Sequence, residues 1–440
     1  MYGFLLSANT AISIAFVFWA IRKMRADHAV LTAGLSAAYV LTNGVFIFSN
    51  QVVSAVYLYS IRDSWVEKSI AGNLLFITIA IAFIRSARKT KTWREYQGRG
   101  IVHINFNESI LLAYCLILIL AESHYLLSEN VLKRIYAISK ITDRNSVYAL
   151  RYDESIAIGE GQGAFLAHLA QEILFPLCAL GISYSVIIRK KLLFAVLGAP
   201  VFVLAGLTAF SAIQRGPVFL YGVVCLGSIT WAILGRKNRM GKLPPLVDVR
   251  FLPFSALGLA FGALIYTFTE AESVVNGLYS IIERSFLITS FSGTSYYGLF
   301  GSAFPYQGVT KFLGFPVADP MSVTYADIGK AANGFAHTLN ANFIATAYAA
   351  LGYFGVTLIS VIVLAAMRFF DGIIKWYRPW ELMAVFVASI YGFFEVCNGP
   401  LANGIFSGLG WDVYLFILLF KKKLVWDTRN TPHLAAKGYH

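Results

Sequence analysis

The 440-residue chain is poor in charge. Only 13% of its residues are Asp, Glu, Lys or Arg, where a soluble domain carries about a quarter. Its four cysteines, Cys115, Cys178, Cys225 and Cys397, all fall inside apolar runs and form no CxxC pair. That argues against a disulfide framework and against a structural zinc. HExxH, Gly-rich phosphate-loop and GxSxG patterns are missing, so zincin, P-loop and serine-hydrolase chemistry have no local signature. The stretch Phe291 to Ser295 is only a polar break in an aromatic segment. Internal repeats and low-complexity tracts are also missing, which excludes a solenoid. The first apolar run, residues 3–21, has no basic stretch before it and no small-residue cleavage pattern after it. It reads as a retained span, not a signal peptide.

What is present is apolar surface. The chain is 58% hydrophobic, and runs long enough to cross a bilayer recur from end to end. An all-α polytopic membrane protein follows, forming one integral membrane domain over residues 1–440. About 11 transmembrane helices are predicted, at 3–21, 29–49, 69–84, 108–125, a fifth ending at Arg189, then 192–212, 217–234, 251–270, 340–366, 380–397 and 404–420. The net charge of +13 would suit nucleic acid, but the basic residues cluster between apolar runs as topology signals do. No aromatic-basic platform for bases is present, so no nucleic-acid partner is expected. With the N-terminus outside, most of the 36 Lys and Arg residues fall in cytoplasmic segments. The C-terminus is then cytoplasmic, and two large loops, 122–162 and 271–339, face outward.

Several residues stand out against this background. Arg215 lies in the short outer turn Gln214 to Pro217. Pro217 suits the first position of the next helix, whose N-terminus and the guanidinium together suit a phosphate. A snorkelling arginine is the plainer alternative. Arg284 sits in an apolar, aromatic stretch of the second outer loop, in a helix lying at the interface or dipping into it. An anion contact and a local pair with Glu283 fit it equally. His337 precedes Asn340 and Asn342 at the outer end of the ninth span, placed to act as general base or to orient a hydroxyl. A small-residue stripe follows, Ala341, Ala345 and Ala349, then Gly352 and Gly355, which permits close helix approach. Glu270, Glu272, Asp319 and Asp327 are further candidates for a base. Tyr296, Tyr297, Phe304, Tyr306 and Tyr325 are placed either to stack on sugars or to anchor the loop at the interface. Glu172, Glu395 and Asp412 lie within apolar runs and favour the rival idea of a proton or ion path. No metal-ligand set is visible, and neither a metal nor any other cofactor is expected.

The QRGP turn at Gln214–Pro217, the outer loop with Arg284, and the block His337 to Asn342 running into Gly352 and Gly355 resemble bacterial O-antigen polymerases of the Wzy type and the related O-antigen ligases. The resemblance covers about the second half of the chain. It implies a GT-C-like glycosyltransferase architecture in the bacterial inner membrane, with the N-terminus periplasmic. The implied substrate is an undecaprenyl-pyrophosphate-linked oligosaccharide, and the implied reaction is transfer of the growing sugar chain to the next repeat unit, with the lipid pyrophosphate leaving. On that reading Arg215 and Arg284 hold the pyrophosphate, and His337 or a loop carboxylate positions or deprotonates the attacking hydroxyl. Asn340, Asn342 and the loop aromatics bind sugar. The resemblance also implies a chain-length regulator as a partner. The alternatives are a ligase that passes the chain to lipid A core and a secondary transporter.

Overall fold

The computed structural model describes residues 2–26, 29–49, 61–86, 101–128, 131, 133, 136, 162–211, 215–237, 286–309, 312, 323, 327–328, 330–331, 341–375, 377 and 379–425. The chain begins with α1 (Tyr2–Ala26) and α2 (Val30–Tyr39). α2 continues through a π-turn, Val40–Gly44, and a 3-10 turn, Val45–Ser49. Next come α3 (Asp63–Ser86), strand β1 (Ile101–Phe106) and α4 (Glu108–Leu126). α5 (Gln162–Leu169) and α6 (Phe175–Ser183) are joined by a π-turn, Ala170–Leu174. α7 (Leu193–Ser211) and α8 (Arg215–Lys237) follow, then α9 (Ile288–Leu299) and α10 (Phe343–Ile374). The C-terminal part holds α11 (Pro379–Ala388), α12 (Ile390–Asn398), α13 (Leu401–Phe406), α14 (Trp411–Leu419) and strand β2 (Phe420–Val425).

Among the described residues nine helices are long and apolar enough to cross a membrane, and α11 with α12 forms a further pair bent by 46°. Each falls on an expected span; the span expected at 251–270 lies outside the described residues. Large apolar side chains such as Phe4, Phe18, Leu120 and Val196 stand exposed on α1, α4 and α7, as a lipid-facing surface requires. α2 is the most enclosed span, 78% buried, and occupies the centre. The described residues are mostly helical, as an all-α polytopic membrane protein requires, with one short two-stranded sheet beside the helices. β1 and β2 pair antiparallel, with Asn105 opposite Lys421 and Phe106 opposite Phe420. The lysine run at 421–423 therefore does not simply stop a helix; it continues into a strand.

One end of the bundle gathers basic residues. At the start of α2, the Leu31 and Thr32 amides donate to Asp371 near the end of α10, at 2.8 and 3.0 Å, and the Thr32 hydroxyl donates at 2.6 Å. Here a carboxylate from a distant helix caps the orphan N–H groups of α2. The Tyr377 hydroxyl donates to the Phe420 carbonyl at 2.7 Å. Glu108, at the start of α4, pairs with Lys191 at 2.6 Å and Arg189 at 3.0 Å. These ties, linked through the ring contacts of Phe106 with Tyr184 and Phe420, bring the chain around residues 30, 108, 190, 371 and 420 to one face.

α10 is not the straight span expected at 340–366. A straight helix would separate Phe343 from Asp371 by about 42 Å. Yet Asp371 binds Thr32, and the Phe343 ring lies 5.5 Å from the Tyr39 ring, while Thr32 and Tyr39 are only about 10 Å apart along α2. The chain reverses at Leu351 (φ −138°, ψ 16°) and Gly352 (φ 64°, ψ −149°). Gly352 adopts a backbone conformation that only glycine takes without strain. Gly355 then lies against the Ala347 carbonyl, close enough that a side chain would collide. The small residues at 345–355 thus let two arms of one helix fold back on each other. The carbonyls released at the break are satisfied by a neighbouring segment: Gln307 N donates to Ala349 O at 3.0 Å and Gly308 N to Ala350 O at 2.9 Å.

Candidate functional site

α9 and the first arm of α10 run side by side. Thr294 meets Ser69 at 3.2 Å and Gly298 lies flat against Trp65, so α9 runs antiparallel to α3. Gly293 approaches Asn342 and Tyr297 packs on Tyr348 at 4.4 Å between ring centroids, so α9 runs parallel to 343–350. The first arm of α10 starts near the middle of α3, at the level of Asn73, and the N-terminal end of α9 lies beside it. From there both run away from the end of α3 that carries Arg85. Every residue of α9 from Thr289 to Leu299 is buried. The aromatic part of the expected outer loop 271–339 therefore packs inside the bundle.

Where the first arm of α10 begins, six elements meet in a polar network. Asn342 caps the first arm of α10: its Oδ1 accepts from Ile344 N at 3.1 Å and Ala345 N at 2.9 Å, and its Nδ2 donates to Asn43 Oδ1 at 2.7 Å. Asn43 sits in the π-turn after α2, a geometry that recurs at functional positions. Its own Nδ2 donates to Cys397 O at 3.2 Å, and its carbonyl accepts from Ser290 Oγ at 3.0 Å. Asn73 donates to Asn9 Oδ1 at 2.8 Å and Ser13 Oγ at 3.0 Å, and Asn9 donates to Gly44 O at 3.0 Å. A small cavity opens among Tyr39, Asn43, Ser69, Asn73, Tyr297 and Asn342, with about 10 Å³ open to the centre of a water-sized sphere. That is room for one water, not for a sugar ring. Two buried atoms around it have no hydrogen-bond partner, Asn73 Oδ1 and the Tyr297 hydroxyl.

No family model, curated protein or solved structure matches the chain.

Of the residues singled out in the sequence, the structure brings Asn342 and Tyr297 to this cavity. Tyr306, 47% exposed, stands over the α10 reversal with its hydroxyl 3.4 Å from that of Tyr348. Tyr296 and Tyr297 are each 2% exposed. They are packed inside the bundle and present no ring to solvent, because α9 buries both faces. Arg215 is the first residue of α8, so Pro217 stands at the third helical position, not the first. The Arg215 side chain, and Arg284, His337, Asn340, Glu270, Glu272, Asp319 and Tyr325, lie outside what the structure describes. Asp412 lies in the first turn of α14: its Oδ1 accepts from Gly410 N at 3.1 Å and Val413 N at 2.8 Å. Glu172 falls in the π-turn between α5 and α6, and Glu395 on α12. Among the described residues no group of three His, Cys, Asp or Glu side chains is placed to hold a metal.

Sequence reading missed Asn43, Asn73, Ser290, Asp371 and the buried Glu122. A signal was available for most of the network. Asn9 with Ser13, Ser69 with Asn73, and Ser290 with Thr294 each lie four apart inside apolar stretches. Such pairs put two polar groups on one helix face, and a polar face in a membrane helix must find partners on its neighbours.

Proposed function

We propose that the protein is a membrane glycosyltransferase of the bacterial inner membrane that polymerises lipid-pyrophosphate-linked oligosaccharide repeat units on the outer leaflet. One observation supports the reading: the first arm of α10 starts midway through the bundle beside α9, and the chain leading into each carries candidate site residues. Arg284 precedes α9 by a few residues; His337 and Asn340 precede the first arm of α10. Helix N-termini favour anions, and a pyrophosphate leaving group is the anion this chemistry needs. With the basic face taken as cytoplasmic, the C-terminal end of α9, the α10 reversal and Tyr306 lie on the outer side. The N-terminus is then periplasmic and the C-terminus cytoplasmic. On this reading Arg284 and Arg215 neutralise the pyrophosphate, and His337 accepts the proton of the attacking hydroxyl. Asn340, Tyr306 and a loop carboxylate such as Glu270 or Asp319 bind sugar. Asn342 supports the site by fixing the helix start.

The test is to incubate the purified protein in vesicles with undecaprenyl-pyrophosphate-linked repeat units alone. A ladder of longer lipid-linked chains supports polymerase activity. Transfer only when lipid A core is added would make the protein a ligase, and no transfer in either case would reject the glycosyltransferase reading. A secondary transporter is the second reading, favoured by the same broken helices, since transporters build midplane sites from half-helix ends. It predicts uptake of a labelled solute into those vesicles without any new glycosidic bond.

A further inference from the structure

Away from the polar network, Glu122 is the group least accounted for. It lies in the last turns of α4, is 0% exposed, and neither carboxyl oxygen has a hydrogen-bond partner. Facing it from α7 is Thr208, 2% exposed, whose hydroxyl likewise has no bond of hydrogen-bonding geometry. One turn along the same seam, Tyr125 and Ser211 form the next rung, at 3.3 Å. α7 itself brings no titratable residue. The described elements around the seam bring His168 on α5, Glu172 in the π-turn after it, Cys178 on α6, Tyr221 on α8, Tyr391 on α12 and Asp412 on α14. Val131 packs against Tyr125 on the same seam, and two residues on, Lys133 is exposed. None of the groups named before it is a lysine or arginine.

A buried carboxylate with no partner is too costly to persist; it takes up a proton or a counter-ion. A metal cation demands about six oxygens. Here three side-chain oxygens converge, and the carbonyls of α4 and α7 along the seam belong to their own helical ladders. A proton needs only one acceptor beyond the carboxyl that carries it. We infer that Glu122 is a proton-binding site: a neutral carboxylic acid in the seam between α4 and α7 that donates to Thr208 Oγ1. Release leaves a carboxylate at Glu122 and one proton in water, so it requires the seam to open to water. Proton binding and closure of α4 on α7 are therefore linked. This inference holds whichever substrate the protein handles and does not rest on the glycosyl-transfer reading.

Infrared spectroscopy of the full chain in lipid at neutral pH tests it. Glu122→Gln should remove one carbonyl stretch of a protonated carboxyl and leave carboxylate absorption unchanged. Glu108→Gln, which removes an ion-paired surface group, should do the reverse. Thr208→Val keeps the native glutamate and should move its carbonyl stretch to higher frequency as the hydrogen bond is lost. Loss of carboxylate absorption in Glu122→Gln would show an ionised group and overturn the proposal. A band unmoved by Thr208→Val would overturn it too, and that arm stands even if Glu122→Gln fails to fold.

Discussion

Substituting the glycines at the α10 reversal puts the architecture at risk in a calculable way. A Cβ at Gly355 would collide with the Ala347 carbonyl and lie 2.9 Å from its carbon and 3.1 Å from Leu351 Cβ. The obstacle is backbone, so no side chain can swing away, and the arms must part. Overpacking of this kind costs about 1–3 kcal/mol, and an unyielding backbone contact belongs at the upper end. Gly352→Ala forces a Cβ onto φ 64°, ψ −149°, which costs about 1–3 kcal/mol, and it brings that atom 3.3 Å from the Tyr306 ring. Gly372 lies in the same helix with nothing within 4 Å of its would-be Cβ. There alanine should gain up to about 1 kcal/mol from helix propensity. Unfolding free energies in mixed micelles would compare the three. The expected order is Gly372→Ala at or above wild type, with Gly352→Ala and Gly355→Ala each lower by roughly 2–3 kcal/mol. A Gly355→Ala protein as stable as wild type would mean that Ala347 does not stand opposite and that the helix runs straight.

Two other substitutions test how the bundle is tied. Asp371→Ala strands the Leu31 and Thr32 amides and the Thr32 hydroxyl, and should cost about 3 kcal/mol; Asp371→Asn, which keeps one acceptor, should cost less in the same unfolding assay. Asn342→Ala loses both a cap and the bond to Asn43, about 2 kcal/mol together, whereas Asn342→Ser should recover roughly half by retaining the cap.

Hydropathy and charge made the spans legible, because bilayer thickness sets their length and topology sorts Lys and Arg. The placement of Ile288 to Leu299 is only partly legible. The stretch around Arg284 reads as a helix lying at the interface or dipping into it, with a polar break at Phe291 to Ser295. That its hydroxyls find partners on α3 and in the turn after α2 is not legible there. The reversal at Gly352 was hidden inside a run of alanines and glycines that reads as a continuous helix with a packing stripe. The backbone angles at Leu351 and Gly352 and the contact of Gly355 with Ala347 distinguish one long span from two arms. The strand pairing of 101–106 with 420–425 depends on a contact between segments some 300 residues apart, which no local pattern reveals. At the candidate site, Asn342 was visible for its place beside His337, yet its geometry is that of a cap. Glu122 was read as the start of a polar loop, although α4 carries it one turn inside the bundle.

The measurement that bears most directly on the proposed function is the length of surface polysaccharide in cells whose own copy is replaced by Arg215→Ala, Arg284→Ala or His337→Ala, with protein levels checked. The account predicts that long chains disappear while single repeat units accumulate on their lipid carrier. An unchanged ladder in all three, at normal protein level, would contradict it: these residues would then not serve a pyrophosphate, and the glycosyltransferase reading would fall.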